Sequence, residues 1–422
     1  MFASKANDVL RIKKLNTLFI SYDGMTDSLG QSQVIPYLIG LSKNGFAISI
    51  ISCEKETAFK KNEALISKLL QANFIDWHPL IYTKQPPVLS TLWDIKKIRA
   101  KVIELHRAKN FVLVHCRSYI TSLVGVAFCK KNSIPFVFDM RGFWADERVE
   151  GKIWNLKNPL FALIYNFFKR KEIDFVNHAA AIVSLTHAGK REIQSWKIDS
   201  EKRDRIYVIP CSADFELFQI KSKEQKHEAR KRIGLLDTDF VLTYLGSLGT
   251  CYLLGEMLDF FLILKNYIPE SKFYFITNDN PQLIRSKAVE KGILESDIII
   301  ESAQRNEVHE KLAASDWGIS FIQPSFSKTA SSPTKMGEML AMGIPLVVNN
   351  KVGDVEEICK QTQGGVCLSQ FSNPEYVTIV KRIIEKKVYD ADAVRKDSYA
   401  IYGLEHAIRT YTTIYQNCVV KS

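Results

Sequence analysis

The chain has 422 residues, 46% hydrophobic and 24% charged, a composition ordinary for a soluble globular protein and a length that suits two domains with ample core. Its eight cysteines are scattered, with no C-x-x-C pair and no matching histidine spacing, which argues for a reducing compartment and against a zinc site or a disulfide framework. A formal charge of +11 favours an anionic partner: an anionic inner leaflet or a lipid-diphosphate acceptor fits, nucleic acid is set aside because no such module is visible, and a merely basic surface is the plain alternative.

The first half alternates short apolar runs with amphipathic stretches, the pattern of a doubly wound parallel sheet. Strands are expected at Thr17–Ile20, Ala47–Ser52, Val112–His115, Phe136–Phe138, Ala181–Ser184 and Ile206–Ile209. Between the first two lies a loop rich in Gly and small polar residues, with Gly24 and Gly30, leading into a helix from about Gln31 that Asn44-Gly45 closes. Such a loop sits at the carboxyl edge of the sheet, where α/β proteins bind ligands, although a plain turn reads the same way. It is not G-x-G-x-x-G, which argues against a dinucleotide site. After the fourth strand stand Asp139, Arg141, Trp144, Asp146 and Glu147, either a structural ion-pair cluster or the rim of an active site. Arg141 cannot serve as a base, because a guanidinium stays protonated.

The Lys84-Gln85-Pro86-Pro87 turn opens a loop that could reach an acceptor. Trp154 to Phe175 mixes aromatics with Lys169-Arg170-Lys171 and reads as an interfacial patch or as an ordinary core helix. The apolar run Leu18-Phe19-Ile20 is too brief for a signal peptide, and nowhere do 18 apolar residues run uninterrupted, so no membrane span is expected.

The segment Val208–Phe218 and the charged stretch Lys221–Arg232 mark a boundary, read as linker and surface helix. A second α/β set opens with a strand at Phe240, followed by Gly246-Ser247-Leu248-Gly249-Thr250, whose backbone N–H groups could meet phosphates or simply make a turn. Strands are expected at Phe273–Ile276, Ile298–Ile300 and Gly318–Ile322, with Arg305 between the second and third. Further on, Ser332 reads as an N-cap and Pro333 as the first helical residue; Gly343 closes that helix, Pro345 stops it, and Leu346–Val348 follows as a buried strand. The helix start offers free N–H groups and the positive dipole end, Lys335 adds a mobile cation in an open cleft, and Glu338 lies about one turn deeper. A cation for a diphosphate and a carboxylate for a sugar diol make a nucleotide-shaped pair, with a solvated helix face as the plain alternative. Tyr399 to Tyr415 has helical spacing.

The run SPTKMGEMLAMGIPLVV, from Ser332 to Val348, resembles the donor-site segment of retaining, family 4-type glycosyltransferases with the GT-B fold. The resemblance implies two Rossmann-like α/β domains with parallel sheets facing a cleft: an acceptor-side domain over 1–212, a nucleotide-sugar domain over 213–398, and a last helix, 399–422, packing back on the first. It assigns the ribose hydroxyls to Glu338 and places Ala330 where the family often has a second glutamate. In this S-P-T-K variant Ser332, Thr334 and above all Lys335 would hold the phosphates. The loop residues Gly30, Gly246, Ser247, Gly249 and Thr250 would face the donor, and Arg305 the base. Catalytic roles would fall on Lys335, on Arg141, where relatives often carry a histidine, and on Asp139. No D-x-D metal motif is read in the sequence, so neither a metal nor a cofactor is expected beyond the nucleotide sugar itself. The implied partners are a UDP- or GDP-sugar and a saccharide or lipid-linked acceptor in surface polysaccharide synthesis, with the protein in the cytoplasm or on the inner face of its membrane and no nucleic acid involved. A nucleotide-sugar 2-epimerase and a non-catalytic nucleotide-sugar-binding protein are the alternatives.

Overall fold

The computed structural model describes residues 14–249, 251–385 and 389–420. Thirteen strands among them form two parallel sheets. The first contains β1 (Leu15–Ser21), β2 (Phe46–Glu54), β3 (Asp76–Ile81), β4 (Leu113–Arg117), β5 (Phe136–Asp139), β6 (Ala181–Ser184) and β7 (Ile206–Val208), in the order β3-β2-β1-β4-β5-β6-β7. The second contains β8 (Phe240–Leu245), β9 (Ser271–Ile276), β10 (Ile298–Glu301), β11 (Trp317–Ser320), β12 (Leu346–Asn349) and β13 (Gly365–Leu368), in the order β10-β9-β8-β11-β12-β13. Crossover helices cover both faces of such sheets, which is why the central strands are continuous apolar runs rather than alternating ones. β3 and β13 escaped the sequence reading for the complementary reason. β3 (DWHPLI) and β13 (GVCL) are short, partly exposed edge strands with weak apolar runs.

Contacts group the described chain into two compact units: one runs up to Asp139 and adds His178–Ala181 and the chain from Ile408 onward, and the other comprises Met140–Asn177 and Ile182–Ala407. In the first unit the end of the Leu404–Val420 helix packs on the sheet. Tyr411 meets Tyr37 at 5.4 Å between ring centroids, Tyr415 meets Phe46 at 5.0 Å, and Ile408 fills the space beside Gly40. The expected single helix from Tyr399 to Tyr415 is in fact two, Ala391–Tyr402 and Leu404–Val420, broken at Gly403. A Cβ on Gly403 would lie 2.5 Å from the Tyr399 carbonyl, so only glycine permits that turn. Similarly, the helix expected from Gln31 is a short Ser28–Gln33 helix followed by Ile35–Lys43, with Pro36 admitted in the first turn of the second.

Candidate functional site

In each sheet the strand order reverses beside one strand, β1 in the first and β8 in the second, and ligands of open α/β sheets bind at the carboxyl ends of the strands there. In the second unit this places the chain after β8 next to the chain after β11. Leu253 N–H donates to the Phe321 carbonyl at 3.0 Å and Gln323 N–H to that of Cys251 at 2.7 Å, so the two loops are tied side by side. The helix that follows is Thr334–Ala341, starting one residue later than expected, with Pro333 as its N-cap and no side-chain cap. The Ser332 hydroxyl is engaged elsewhere: it accepts the Cys211 N–H at 3.1 Å, a tertiary partner replacing the local one. The helix end is as read. Gly343 is left-handed, its N–H and that of Ile344 bond the Leu340 and Met339 carbonyls at 2.9 Å, and its carbonyl leads through Pro345 into β12.

Lys335 is not a mobile cation in an open cleft. Its side chain is buried, its ammonium lies over the rings of Tyr244 and Tyr252 at 4.2 and 3.7 Å from their centroids, and it donates to the Tyr244 hydroxyl at 3.0 Å. Two aromatic faces attract the cation, yet loss of water dominates and pulls the lysine pKa down to about 7. Gly246, left-handed at the end of β8, is what lets the backbone come close: a Cβ there would stand 3.4 Å from the Lys335 Nζ. Neither tyrosine was singled out in the sequence, because nothing local in β8 or in the loop after it marks them as a cage.

Glu338 is also buried, and it is already paired. Its carboxylate receives Arg305, whose guanidinium lies 4.9 Å from the centroid of the Phe218 ring. Burial raises the Glu338 pKa, while Arg305 and then Lys335 oppose that rise. The structure therefore brings Lys335, Glu338, Arg305 and Gly246 together. Ser247 and Gly249 belong to the same loop, while Thr250 lies outside the described residues. That loop carries a feature the sequence reading missed. Asp279, after β9, accepts the Leu248 N–H at 2.6 Å and the Ser247 hydroxyl at 3.2 Å, so a carboxylate sits on the donors that a phosphate would use.

The turn before the helix is locked in place. Lys328 pairs with Glu147 at 2.6 Å, Ser325 Oγ donates to Glu150 at 2.7 Å, and Phe326 stacks on Phe143 at 4.8 Å. Gly353 N–H donates to the Lys328 carbonyl, and a Cβ on Gly353 would stand 2.2 Å from the Ser331 carbonyl oxygen. Ala330, buried, has its Cβ 3.0 Å from where a Cβ on Gly189 would be, so this position is filled by close backbone packing and has no room for a carboxylate chain. The acids after β5 are likewise structural: Asp146 accepts from Lys169 and from the Tyr165 hydroxyl, both at 2.8 Å, and Glu147 is committed to Lys328. Arg141 adopts a left-handed backbone and donates to the sulfur of Cys211 at 3.3 Å, the same residue whose N–H donates to Ser332.

Two site residues belong to the first unit. Gly30 sits under the loop after β1, where a Cβ would be 2.1 Å from the Gly24 carbonyl oxygen. Glu54 at the end of β2 pins that loop, accepting the N–H groups of Met25 and Thr26 at 2.7 and 3.1 Å. Asp139 closes β5 and is buried against His115, 3.5 Å away, and the Tyr411 hydroxyl at 3.2 Å.

D-x-D strings do occur, at Asp237-Thr238-Asp239 and Asp390-Ala391-Asp392, but Asp237 is engaged by His227 at 2.7 Å, Asp239 accepts the Leu236 N–H at 2.8 Å, and Asp390 is spent as a helix cap, accepting the Ala393 N–H at 3.0 Å. Among the described residues no group of three or more His, Cys, Asp or Glu is placed to hold a metal. A cavity of about 680 Å³ opens at the other, amino end of the second sheet, between Arg230, Asp316, Trp317 and Tyr389, and contains none of these site residues.

Two Rossmann-like parallel sheets of seven and six strands, with a candidate nucleotide site at the switch point of the second, define the GT-B glycosyltransferase fold. Residues 34–217 match the sequence profile of Glycosyltransferase Family 4. A glycosyltransferase from Rickettsia africae superimposes with a TM-score of 0.71 at 15% identity, covering 97% of this chain and 100% of its own. Anabaena Alr3699/HepE in complex with UDP does so at 0.69 and 14%, over 95% and 100%. The lipopolysaccharide outer core galactosyltransferase WaaB follows at 0.64 and 13%, over 96% and 99%. No curated protein sequence matches the chain.

Proposed function

We propose that the protein is a retaining glycosyltransferase that moves a sugar from a UDP- or GDP-sugar to a saccharide or lipid-linked saccharide acceptor in cell-surface polysaccharide synthesis. The observation that carries the reading is the Lys335 ammonium lying against Gly246, one helical turn from the Glu338 carboxylate, at the switch point of the second sheet. The similar Anabaena and WaaB structures support it, the first by its bound UDP and the second by the reaction in its name. In this proposal the donor phosphates take the Lys335 charge, the helix start at Thr334 with Ser332 beside it, and the Ser247 and Gly249 amides of the loop whose Leu248 N–H is held by Asp279. Gly30 is a further donor-binding candidate, Arg305 orders Glu338 and edges the base, and Arg141 steadies the departing diphosphate. Asp139 acts on the acceptor side of the reacting sugar. Catalysis is electrostatic stabilisation of the leaving group, supplied by fixed cations and backbone dipoles, with no metal required.

The test is a thermal-shift screen against UDP, GDP and their sugar conjugates, repeated with Glu338→Gln, which keeps the size of the buried side chain. A nucleotide at a hundred times its Kd adds ~2.7 kcal/mol of apparent stability. A shift with one nucleotide that Glu338→Gln abolishes is the expected result; no shift with any nucleotide defeats the reading. One observation favours a second reading. The UDP-GlcNAc 2-epimerase from Neisseria meningitidis shares the fold at a TM-score of 0.58 and 13% identity, covering 95% of this chain and all of its own. An epimerase would convert its nucleotide sugar without any acceptor, whereas the transferase turns over only when one is added.

A further inference from the structure

The hairpin between β5 and β6 buries one side and leaves the other unpartnered. Its two helices, Trp144–Glu150 and Pro159–His178, are joined by a turn that is itself well built: Ile153 and Trp154 N–H donate to the Arg148 carbonyl at 2.9 Å, and the Asn158 side chain caps Leu160 N–H at 2.9 Å. Trp144, Trp154 and Phe168 stack against one another inside it, with centroids 4.9 to 6.2 Å apart. Lys169 fastens the longer helix to Asp146 and pairs with Glu172 one turn along its own helix. The buried stripe of that helix is Phe168, Glu172, Phe175 and Val176. On the other face, Leu160, Leu163 and Phe167 follow at helical spacing, continued backwards by Ile153 and Leu156 in the turn, and these five side chains are between 41% and 63% exposed. Single exposed leucines need no explanation, but five large ones on one rigid hairpin do.

The charges around this stripe say what covers it. Lys152, Lys157 and Arg170 are exposed beside it, while the neighbouring acids are engaged: Glu150 with Ser325 and Ser327, and Asp174 with Lys171. The chain as a whole carries +11. An apolar stripe edged by cations suits an anionic bilayer surface, whose acyl boundary takes the leucines and whose headgroups take the lysines and arginine. A protein partner would need an acidic, apolar groove of matching length.

We propose that the exposed face from Lys152 to Arg170 is a docking surface for an anionic lipid bilayer. It gives a lipid-linked acceptor a reason to meet this enzyme, and in that purpose it rests on the function proposed above; the binding itself is measured without donor or acceptor, so either can fail alone. The experiment is flotation of the full chain with phosphatidylcholine vesicles containing about 30% phosphatidylglycerol, and with phosphatidylcholine alone. The wild type should float with the anionic vesicles and largely remain behind with the neutral ones. The double variant Leu163→Glu, Phe167→Glu should bind at least roughly tenfold more weakly, because two apolar anchors become charges the headgroups repel. Lys157→Glu with Arg170→Glu should lose about fivefold or more per position, and salt should weaken wild-type binding. Both double variants change exposed side chains, and an unaltered melting temperature confirms that they fold. A wild type that does not float, or a Leu163→Glu, Phe167→Glu variant that floats equally well, overturns the proposal. So does a wild-type dimer that this variant makes monomeric while neither binds vesicles, since the stripe would then be a contact between two copies of this chain.

Discussion

At the scale of single residues, Lys335 decides the most. An ammonium held between Tyr244 and Tyr252 with a pKa of about 7 is poised to change charge when an anion arrives. The folded pKa lies below the ordinary lysine value, so the unfolded chain holds the proton more tightly. The cost of burying the charge is complete below pH ~7 and fades as pH climbs toward the unfolded value, so this group adds to stability at higher pH. Nucleotide binding should run the other way. A diphosphate beside Lys335 favours its charged form, so binding above pH ~7 takes up a proton and the affinity for UDP or GDP declines as pH rises from there. Titration calorimetry in two buffers of different ionisation enthalpy measures that uptake; its absence, or its persistence in Lys335→Met, would remove Lys335 from the phosphate site. Lys335→Met itself should keep or raise the melting temperature while weakening nucleotide binding tenfold or more, on the order of the ~1.4 kcal/mol or greater loss of a charge-assisted contact.

At the scale of elements, the site depends on the turn between β11 and the Thr334–Ala341 helix being held still. Glu147, Glu150, Phe143 and the loop at Gly353 clamp it from four directions. Gly353 is the sharpest probe, since its φ is +47 and an added Cβ would collide with the Ser331 backbone. Gly353→Ala should cost about 1–3 kcal/mol of stability, visible as a lower melting temperature, and should also blunt the nucleotide-induced shift because Ser332 and Thr334 follow the displaced turn. A variant that melts earlier but responds fully to nucleotide would mean that the turn and the site are independent. The same element explains Ala330: with Gly189 pressed against it, the position serves packing.

At the scale of the whole molecule, the proposed mechanism replaces a metal by fixed positive charge, and that too is measurable. Sugar transfer should be unchanged by an excess of chelator, and a requirement for a divalent cation would show that Lys335 and the loop amides are not sufficient. Among the described residues no helix is long and apolar enough to cross a membrane.

The amino-acid sequence by itself determined the alternation of apolar runs that became β1, β2 and β4 to β12, the Gly343 stop of the candidate helix, and the presence of Lys335 and Glu338 one turn apart on it. These are local signals, because period, caps and left-handed glycines act over a few residues. Tertiary structure alone decided what those residues meet. Lys335 finds Tyr244 91 positions away, Glu338 finds Arg305 33 positions away, Ser332 gives up its cap for Cys211, and Asp279 reaches the loop of Ser247 and Leu248. Such pairings leave no periodic trace in a chain. Their partners are chosen by which loops the strand order gathers at one sheet edge, and burial there turns a lysine expected in solvent into one whose charge depends on what binds.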